Sequence, residues 1–216
     1  MDKKEDMIEV INRVKKVKRG FKGIEKESKE IRNYYGVNEC FEIAQELFKY
    51  DSFQVRMLAT FIMGSISYEL ESALVFLKER VSLDENWRVQ EILAKAFDTY
   101  CENIGYNNSL QTIKDWLNSD NPNVRRAVTE GLRIWTSRDY FKQNPQIAVN
   151  ILGKLKSDNS EYVRKSVGNA LKDISKKHKE LVKQEIETWN LSNGKIKQTY
   201  KFAIKYLDSK RGIKNE

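Results

Sequence analysis

Apolar residues recur along most of the chain at the three- and four-residue spacing of amphipathic α-helices. The stretches NECFEIAQELFKY (38–50) and LDENWRVQEILAKA (83–96) both show this spacing. With only two prolines and ten glycines, the chain has few of the turn signals that separate β-strands. The pattern therefore predicts an all-α protein.

Four segments of the chain align with one another, and each has an Asp-containing turn followed by a helix that begins near a valine. They are YDSFQVRMLA (50–59), LDENWRVQEILAKA (83–96), SDNPNVRRAVTEGL (119–132) and SDNSEYVRKSVGNAL (157–171). The equivalent valines are Val55, Val89, Val124 and Val163, at steps of 34, 35 and 39 residues. This period is typical of HEAT and armadillo helix pairs. We expect the Asp and Asn residues of the turns to cap these helices by accepting hydrogen bonds from unpaired amides.

The segments between these helices supply the other member of each pair: NECFEIAQELFKY, ELESALVFLKERV, SLQTIKDWLNS and PQIAVNILGKLKS. We therefore predict an α-solenoid, a right-handed superhelix with a concave basic face, in which each pair buries its apolar stripe against its neighbours. We expect a single HEAT-like repeat domain over residues 1–216. A basic N-terminal helix spans about 1–35, the repeats about 36–190 and a closing helix about 193–209.

On the second repeat helix the apolar positions form one stripe, made of Val89, Ile92, Leu93, Ala96 and Phe97. This stripe leaves Trp87 and Glu91, four residues apart, side by side on the opposite face. An indole on that face packs against another helix, is an incidental surface residue, or serves as a stacking platform. The sequence leaves these three interpretations open.

On the third and fourth repeats the same wheel turns six side chains outward: Arg126, Thr129, Arg133, Lys165, Asn169 and Lys172. Arg126 takes the position that Glu91 holds one repeat earlier, and Arg125 points to the flank of the helix. If these helices line one surface, it combines cations for phosphates, a ring for stacking and a carboxylate for chemistry. That combination is typical of a nucleic-acid-processing site.

Composition adds little beyond this. The chain has 39 Lys and Arg against 31 Asp and Glu, a net charge of +8, which fits a polyanionic partner or a generally basic soluble protein. Cys40 and Cys101 show no metal-ligand or disulfide spacing, and His178 lies in a lysine-rich loop. No phosphate-binding glycine loop, nucleophile elbow or HExxH motif occurs. The charged N-terminus and the lack of a long apolar run predict a cytoplasmic protein.

Several stretches resemble the AlkD-like DNA alkylation repair glycosylases, a family of HEAT-like solenoids. They are NYYGV (33–37), DSFQVRMLATFIMG (51–64), Trp87 with Glu91, NVRRAV (123–128), YVRKSVGNALKDISKKHKELV (162–182) and KQTYKFAIKYL (197–207). The pairing of an indole with an acid four residues later is the most specific of these features, because in this family an indole and an acid flank the lesion.

The resemblance implies excision of cationic N3- or N7-alkylpurines from double-stranded DNA by hydrolysis of the glycosidic bond. Glu91 and Trp87 then act at the lesion, and the DNA-binding set comprises Arg126, Arg125, Arg133, Lys165, Lys172 and Asn169. No cofactor, metal or membrane is implied, and we expect a monomer that associates with the bacterial nucleoid when bound to DNA.

Two positions depart from the family pattern. Glu91 stands where the best-known members carry Asp, and Asn169 stands where the family has a second tryptophan, so that Trp135 or Trp189 is left to supply that ring. Two alternatives therefore stay open. One is a DNA-binding member of the fold without excision activity, and the other is a HEAT-repeat scaffold that binds an acidic peptide on its concave face.

Overall fold

The computed structural model describes the backbone of residues 3–209, together with the side chains of residues 7–133 and 136–207. Within this part of the chain there are fourteen α-helices and no strand, so the predicted all-α class is confirmed. The chain divides into two compact units, Met1–Gly105 and Tyr106–Glu216. The single repeat domain remains a prediction.

The first unit contains six helices, which are α1 (Lys3–Lys15), α2 (Lys22–Tyr34), α3 (Val37–Phe48), α4 (Phe53–Ile66), α5 (Glu71–Glu79) and α6 (Trp87–Ile104). Helix α4 packs against both α3 and α6. It is buried on most of its surface, and Leu58 and Ile62 are fully buried. The predicted stripe on α6 is confirmed, since Val89, Ile92 and Phe97 are also inaccessible to solvent.

The N-terminal segment forms two helices, whereas the sequence predicted one basic helix over residues 1–35. A linker over residues 16–21 separates α1 from α2. Gly20 within it has φ of 70°, a left-handed conformation that only glycine adopts without strain. After this linker, α2 packs against α4.

The second unit contains eight helices, which are α7 (Leu110–Leu117), α8 (Pro122–Trp135), α9 (Asp139–Gln143), α10 (Pro145–Lys154), α11 (Glu161–Ser175), α12 (Lys179–Glu187), α13 (Gly194–Ala203) and α14 (Lys205–Ser209). Helix α11 packs against α8 on one side and α13 on the other. The predicted closing helix over 193–209 is interrupted at Ile204 and forms α13 and α14. The predicted helix pairs α7 with α8 and α10 with α11 are confirmed.

One glycine in each unit lets two helices approach closely. A Cβ on Gly64 of α4 would lie 2.6 Å from the Ala96 Cβ of α6. A Cβ on Gly168 of α11 would lie 2.5 Å from the Phe202 Cβ of α13. Because atoms cannot approach that closely without displacement, a larger residue at either position would push the paired helices apart.

A recurring arginine, one residue after the repeat valine, ties successive repeats together. Arg56 donates to the Tyr50 and Asp51 carbonyls of its own turn and to the Asp84 carboxylate of the next turn. Arg125 and Arg164 bind the carbonyls of their own turns in the same way and reach the side chains of Asp158 and Gln198.

The second repeat departs from this pattern, because Gln90 stands where the arginine is expected. Its Nε2 donates to the carbonyls of Val81 and Asp84, at 3.0 and 2.7 Å. The recurring Val-Arg dipeptide was a sequence signal of this tie that the helical wheel did not use.

The turn residues divide their roles differently from the prediction. Asn86 caps α6 as expected, since its Oδ1 accepts from the Arg88 amide at 3.0 Å. Asn121 likewise accepts from the Asn123 amide at 2.9 Å. The carboxylates of Asp84 and Asp158 each accept an amide of their own turn at 2.8 Å, and in addition they bind the arginine of the preceding repeat helix. A carboxylate is preferred there because it binds both guanidinium nitrogens.

Candidate nucleic-acid interface

Trp87 and Glu91 lie one turn apart on the solvent-facing side of α6. The Trp87 side chain is 62% exposed and Glu91 is exposed as well. Because residues four apart on a helix are neighbours, the indole and the carboxylate stand next to each other. The structure therefore brings these two predicted site residues together in the first unit. Glu91 makes no ion pair with any residue in the described part of the chain.

The Trp87 indole is held from one side by Arg88. The guanidinium carbon of Arg88 lies 4.5 Å from the Trp87 ring centroid and 5.1 Å from that of Phe53 at the start of α4. Such cation–π contacts stabilise a planar ring in a defined position. Trp87 is thus a supported surface aromatic and not a core residue. The wheel missed Arg88, although its place directly after an exposed indole was a usable signal.

In the second unit, Arg126 and Arg133 meet at one carboxylate. Glu130 lies 3.6 Å from Arg126 and 2.9 Å from Arg133. Its Oε1, the oxygen nearer Arg126, also accepts a hydrogen bond from the Ser166 hydroxyl of α11 at 2.9 Å. The predicted cationic surface of α8 therefore carries an acid at its centre, because Glu130 follows Arg126 by four residues and precedes Arg133 by three. That spacing was visible in the sequence.

A second carboxylate, Asp173, joins the same group of charges. It accepts from Arg133 at 2.9–3.0 Å and from Lys176 at 2.8 Å, and Lys172 lies 3.9 Å away. Partial burial opposes ionisation of Asp173, but hydrogen bonds from Lys176 and Arg133 outweigh it, so the pKa of Asp173 is lowered. Arg133 and Lys172 therefore both lie close to a carboxylate of the same surface.

Arg125 is a largely buried contact between the start of α8 and the turn before α11. Two of its nitrogens bind the two Asp158 oxygens at 2.8 Å, and the third binds the carbonyls of Ser119 and Asp120 at 2.7 and 3.0 Å. Burial raises the pKa of Asp158, but the hydrogen bonds from Arg125 and from the Ser160 amide lower it by more. The pKa of Asp158 is therefore below its usual value. The guanidinium is committed to the protein, which leaves little of it for a phosphate.

Thr129 is fully buried, so its predicted outward position is wrong. Its hydroxyl donates to the Ser166 hydroxyl at 2.7 Å. The wheel failed because α8 packs against α11 as well as against its own partner, which buries a wider face than one stripe. On α11, Lys165 is exposed, and Asn169 and Lys172 are half-buried.

Trp189 is only 5% exposed, and its indole nitrogen donates to Glu185 at 2.9 Å. It packs within the second unit and offers no free ring. The Trp135 side chain lies outside the described residues. Tyr162, which the wheel did not single out, is 75% exposed at the start of α11.

Among the described residues, no group of three or more His, Cys, Asp or Glu side chains is arranged to hold a metal ion. In the same part of the chain, every helix is too short or too polar to cross a membrane.

The helix pairs and the Val-Arg ties define the protein as an α-solenoid of HEAT-like repeats. The family model described as DNA alkylation repair enzyme matches residues 12–207. The chain belongs to this DNA alkylation repair family.

Solved structures agree with this assignment. AlkD2 from Streptococcus mutans is 45% identical, with a TM-score of 0.90, over 94% of this chain and 98% of that chain. The protein smu.31 from Streptococcus mutans UA159 is 47% identical, with a TM-score of 0.83, over 86% of this chain and 92% of that chain. A structure concerning microtubule plus-end tracking by XMAP215, CLIP-170 and EB1 matches at 16% identity and a TM-score of 0.56, which shows the fold alone.

A curated relative, the protein YhaZ of Bacillus subtilis (strain 168), is 42% identical over 78 residues. The match covers 34% of this chain and 22% of that relative's length.

Proposed function

We propose that the protein excises cationic N3- or N7-alkylpurines from double-stranded DNA. The observation that carries this proposal is the exposed Trp87–Glu91 pair on α6, in a chain of the DNA alkylation repair family. An exposed indole beside a carboxylate with no ion-pair partner among the described residues is suited to a cationic heteroaromatic group. The ring attracts the cation through its π face, and the anion supplies Coulomb attraction.

The chemistry requires little from the protein. An N3- or N7-alkylated purine is already cationic, so it leaves as a neutral base when the glycosidic bond breaks and takes the bonding electrons with it. Positive charge then develops at the deoxyribose C1′. Glu91 stabilises that charge as an anion and accepts a proton from the water that attacks C1′. Trp87 packs against the sugar or the base.

The second unit provides phosphate contacts in this proposal. Arg126 is the foremost candidate, since its side chain is 26% exposed and, among the described residues, it forms an ion pair only with Glu130, at the long distance of 3.6 Å. Lys165, Lys172, Arg133 and Asn169 are further candidates to hold the duplex. Arg125 has the weakest case because its nitrogens are occupied by Asp158 and two carbonyls. A bound duplex would place the protein at the nucleoid in the cytoplasm.

A second candidate function is duplex binding without excision. Asn169 stands where the family resemblance implies a tryptophan, and Trp189 is buried and does not replace it. A lesion would then contact one indole only, which weakens binding of the base.

The deciding experiment is single-turnover release of 7-methylguanine and 3-methyladenine from methylated duplex DNA. We expect Glu91→Gln to slow release on the order of 10²-fold, because it removes the anion from the developing charge. Trp87→Ala should slow release about 10-fold through loss of the cation–π contact. Wild-type protein that releases neither base but binds the duplex supports the second candidate.

Two matched variants serve as controls. Glu42→Gln removes an exposed carboxylate of α3 in the same unit, and Tyr162→Ala removes an exposed aromatic ring. Both should release the bases at the wild-type rate. If Glu91→Gln and Glu42→Gln behave alike, Glu91 has no special part in excision.

A further inference from the structure

We propose that the segment joining α1 and α2 binds the phosphate backbone of duplex DNA, in addition to the residues predicted on α6, α8 and α11. We call this segment, together with the helix-end residues Lys15 of α1 and Lys22 of α2, the basic linker; its cations are Lys15, Lys16, Lys18, Arg19 and Lys22. They lie within eight residues that contain no acid. The proposal rests on the proposed function only in taking duplex DNA as the ligand, and it does not require excision.

The charges of the basic linker are available to a ligand. All five side chains are exposed, and none forms an ion pair with another described residue. Nearby acids are already occupied by other cations. Glu27 binds Arg13 through two bonds of 2.8 and 2.9 Å, and Glu25 binds Lys29 at 2.9 Å. An unpaired cation meets a phosphate without first losing a protein partner, so it contributes its full attraction.

The basic linker is also held in place by the rest of the first unit. The Gln54 amide donates to the backbone carbonyls of Lys15 and Val17, at 3.3 and 3.4 Å. At its far end the Phe21 ring packs 6.0 Å from that of Phe61 on α4. A segment positioned before binding loses less conformational entropy when it meets its ligand.

One end of the basic linker contacts α6, the helix that carries Trp87 and Glu91. Lys95 lies one turn beyond Glu91 on α6, and its Nζ is 4.5 Å from the Phe21 ring centroid at the end of the basic linker. The linker therefore borders the same exposed stripe of α6. A nucleotide held at Trp87 has flanking phosphates on the same strand, and these are the groups that the linker cations would meet.

The test compares duplex binding across a range of KCl concentrations. The variant is Lys16→Gln/Lys18→Gln/Arg19→Gln, which spares Lys15 over the Tyr50 ring and Lys22 within α2. Binding of a fluorescently labelled, unmodified duplex is followed by anisotropy. Each lost phosphate contact lowers the slope of log K against log salt by about 0.9. We expect the slope to fall by up to about 2.7 and the affinity at low salt to fall on the order of 10²-fold.

A matched control separates the linker from a general loss of charge. Lys142→Gln/Lys154→Gln/Lys179→Gln removes three positive charges from exposed lysines without ion pairs among the described residues. It should change the slope by less than about 0.9. Thermal unfolding and helical circular dichroism establish that both variants are folded. Equal losses in the two variants, or no loss in the linker variant, would overturn the proposal.

The outcome is separable from that of the excision assay. A wild-type protein that binds duplex through the basic linker but releases no alkylpurine supports this inference and contradicts glycosylase activity. A protein that excises alkylpurines with an unchanged linker variant supports glycosylase activity and overturns this inference.

Discussion

The basic linker of the first unit and the cations on α8 and α11 of the second unit have similar charge in the sequence but different surroundings in the structure. The five linker cations have no acidic partner among the described residues. In the second unit, Arg126 and Arg133 share Glu130, and Arg133 and Lys172 lie near Asp173. The two surfaces therefore differ in how much of their charge is free.

This difference shows that a count of cations on one helix face does not measure affinity for DNA. A phosphate that approaches Arg133 must compete with two carboxylates and is repelled by them. A phosphate that approaches Lys18 meets neither obstacle. The net charge of +8 therefore does not show which cations are available to a phosphate, because the linker cations have no acidic partner among the described residues and Arg133 has two.

The largest expected effect concerns Arg125, which the comparison assigns to stability. Its side chain is 13% exposed and that of Asp158 is 6% exposed. Removing one partner of a buried ion pair leaves the other charge uncompensated and costs about 3–5 kcal/mol. We expect Arg125→Met to lower the free energy of unfolding in urea by about that amount.

Arg126→Met is the matched variant on the neighbouring residue. We expect it to lower the unfolding free energy by less than about 1 kcal/mol, because its pair with Glu130 is long and partly exposed. It should weaken duplex binding, whereas folded Arg125→Met should bind nearly as wild type. The reverse pattern would contradict the distinction between the two arginines.

An intermediate effect is expected at Glu130, the acid that pairs with two cations of α8 and has no counterpart in the basic linker. Glu130→Gln keeps an acceptor for the Ser166 hydroxyl but removes the charge that competes for Arg126 and Arg133. We expect duplex affinity at low salt to rise by up to about 10-fold and the salt slope to steepen by about 0.9 for each cation released.

Glu187→Gln is the control for this change, because it also removes an acid from an ion pair of the second unit, with Lys183 at 3.7 Å. Its effect on affinity should be well below that of Glu130→Gln. If the two variants raise affinity equally, net charge alone governs binding and Arg126 is not a phosphate contact.

The sequence predicted where the helices lie better than it predicted which helices pack against one another. The valine spacing located the four repeat helices, and the apolar stripe on α6 is buried as expected. The wheel also placed Trp87 and Glu91 together on the exposed side. Thr129 was misplaced because a wheel considers one packing partner, whereas α8 has two.

The pattern of one helix could not predict which acid each arginine binds. Arg125 and Arg126 are adjacent in the sequence, yet one binds an acid 33 residues away and the other faces an acid on its own helix. Only the packing of α11 against α8 brings Asp158 to Arg125. The recurrence of arginine after the repeat valines was the available signal, because a repeated charge at a repeated position indicates a structural contact.

The smallest expected effect is a pH dependence of stability at Asp173. Its pKa is lowered in the folded protein, and the reference pKa of Asp in the unfolded chain is about 3.9. The stabilisation from its ion pairs is therefore complete above about pH 5 and is lost as the pH falls through the lower, folded pKa. We expect Asp173→Asn to be less stable than wild type at pH 6 by under about 1 kcal/mol, because the pairs are partly exposed.

The measurement is the difference in unfolding free energy between wild type and Asp173→Asn in urea at pH 6 and at about pH 3. The difference should shrink towards acid, because wild type loses its Asp173 pairs there and the variant has none to lose. Glu42→Gln, which removes an exposed carboxylate without an ion pair among the described residues, should show the same difference at both pH values. A difference for Asp173→Asn that does not change with pH would mean that Asp173 does not pair with Arg133 in solution. Glu130 would then be the acidic partner of Arg133, and the contrast between the two surfaces would rest on Glu130 alone.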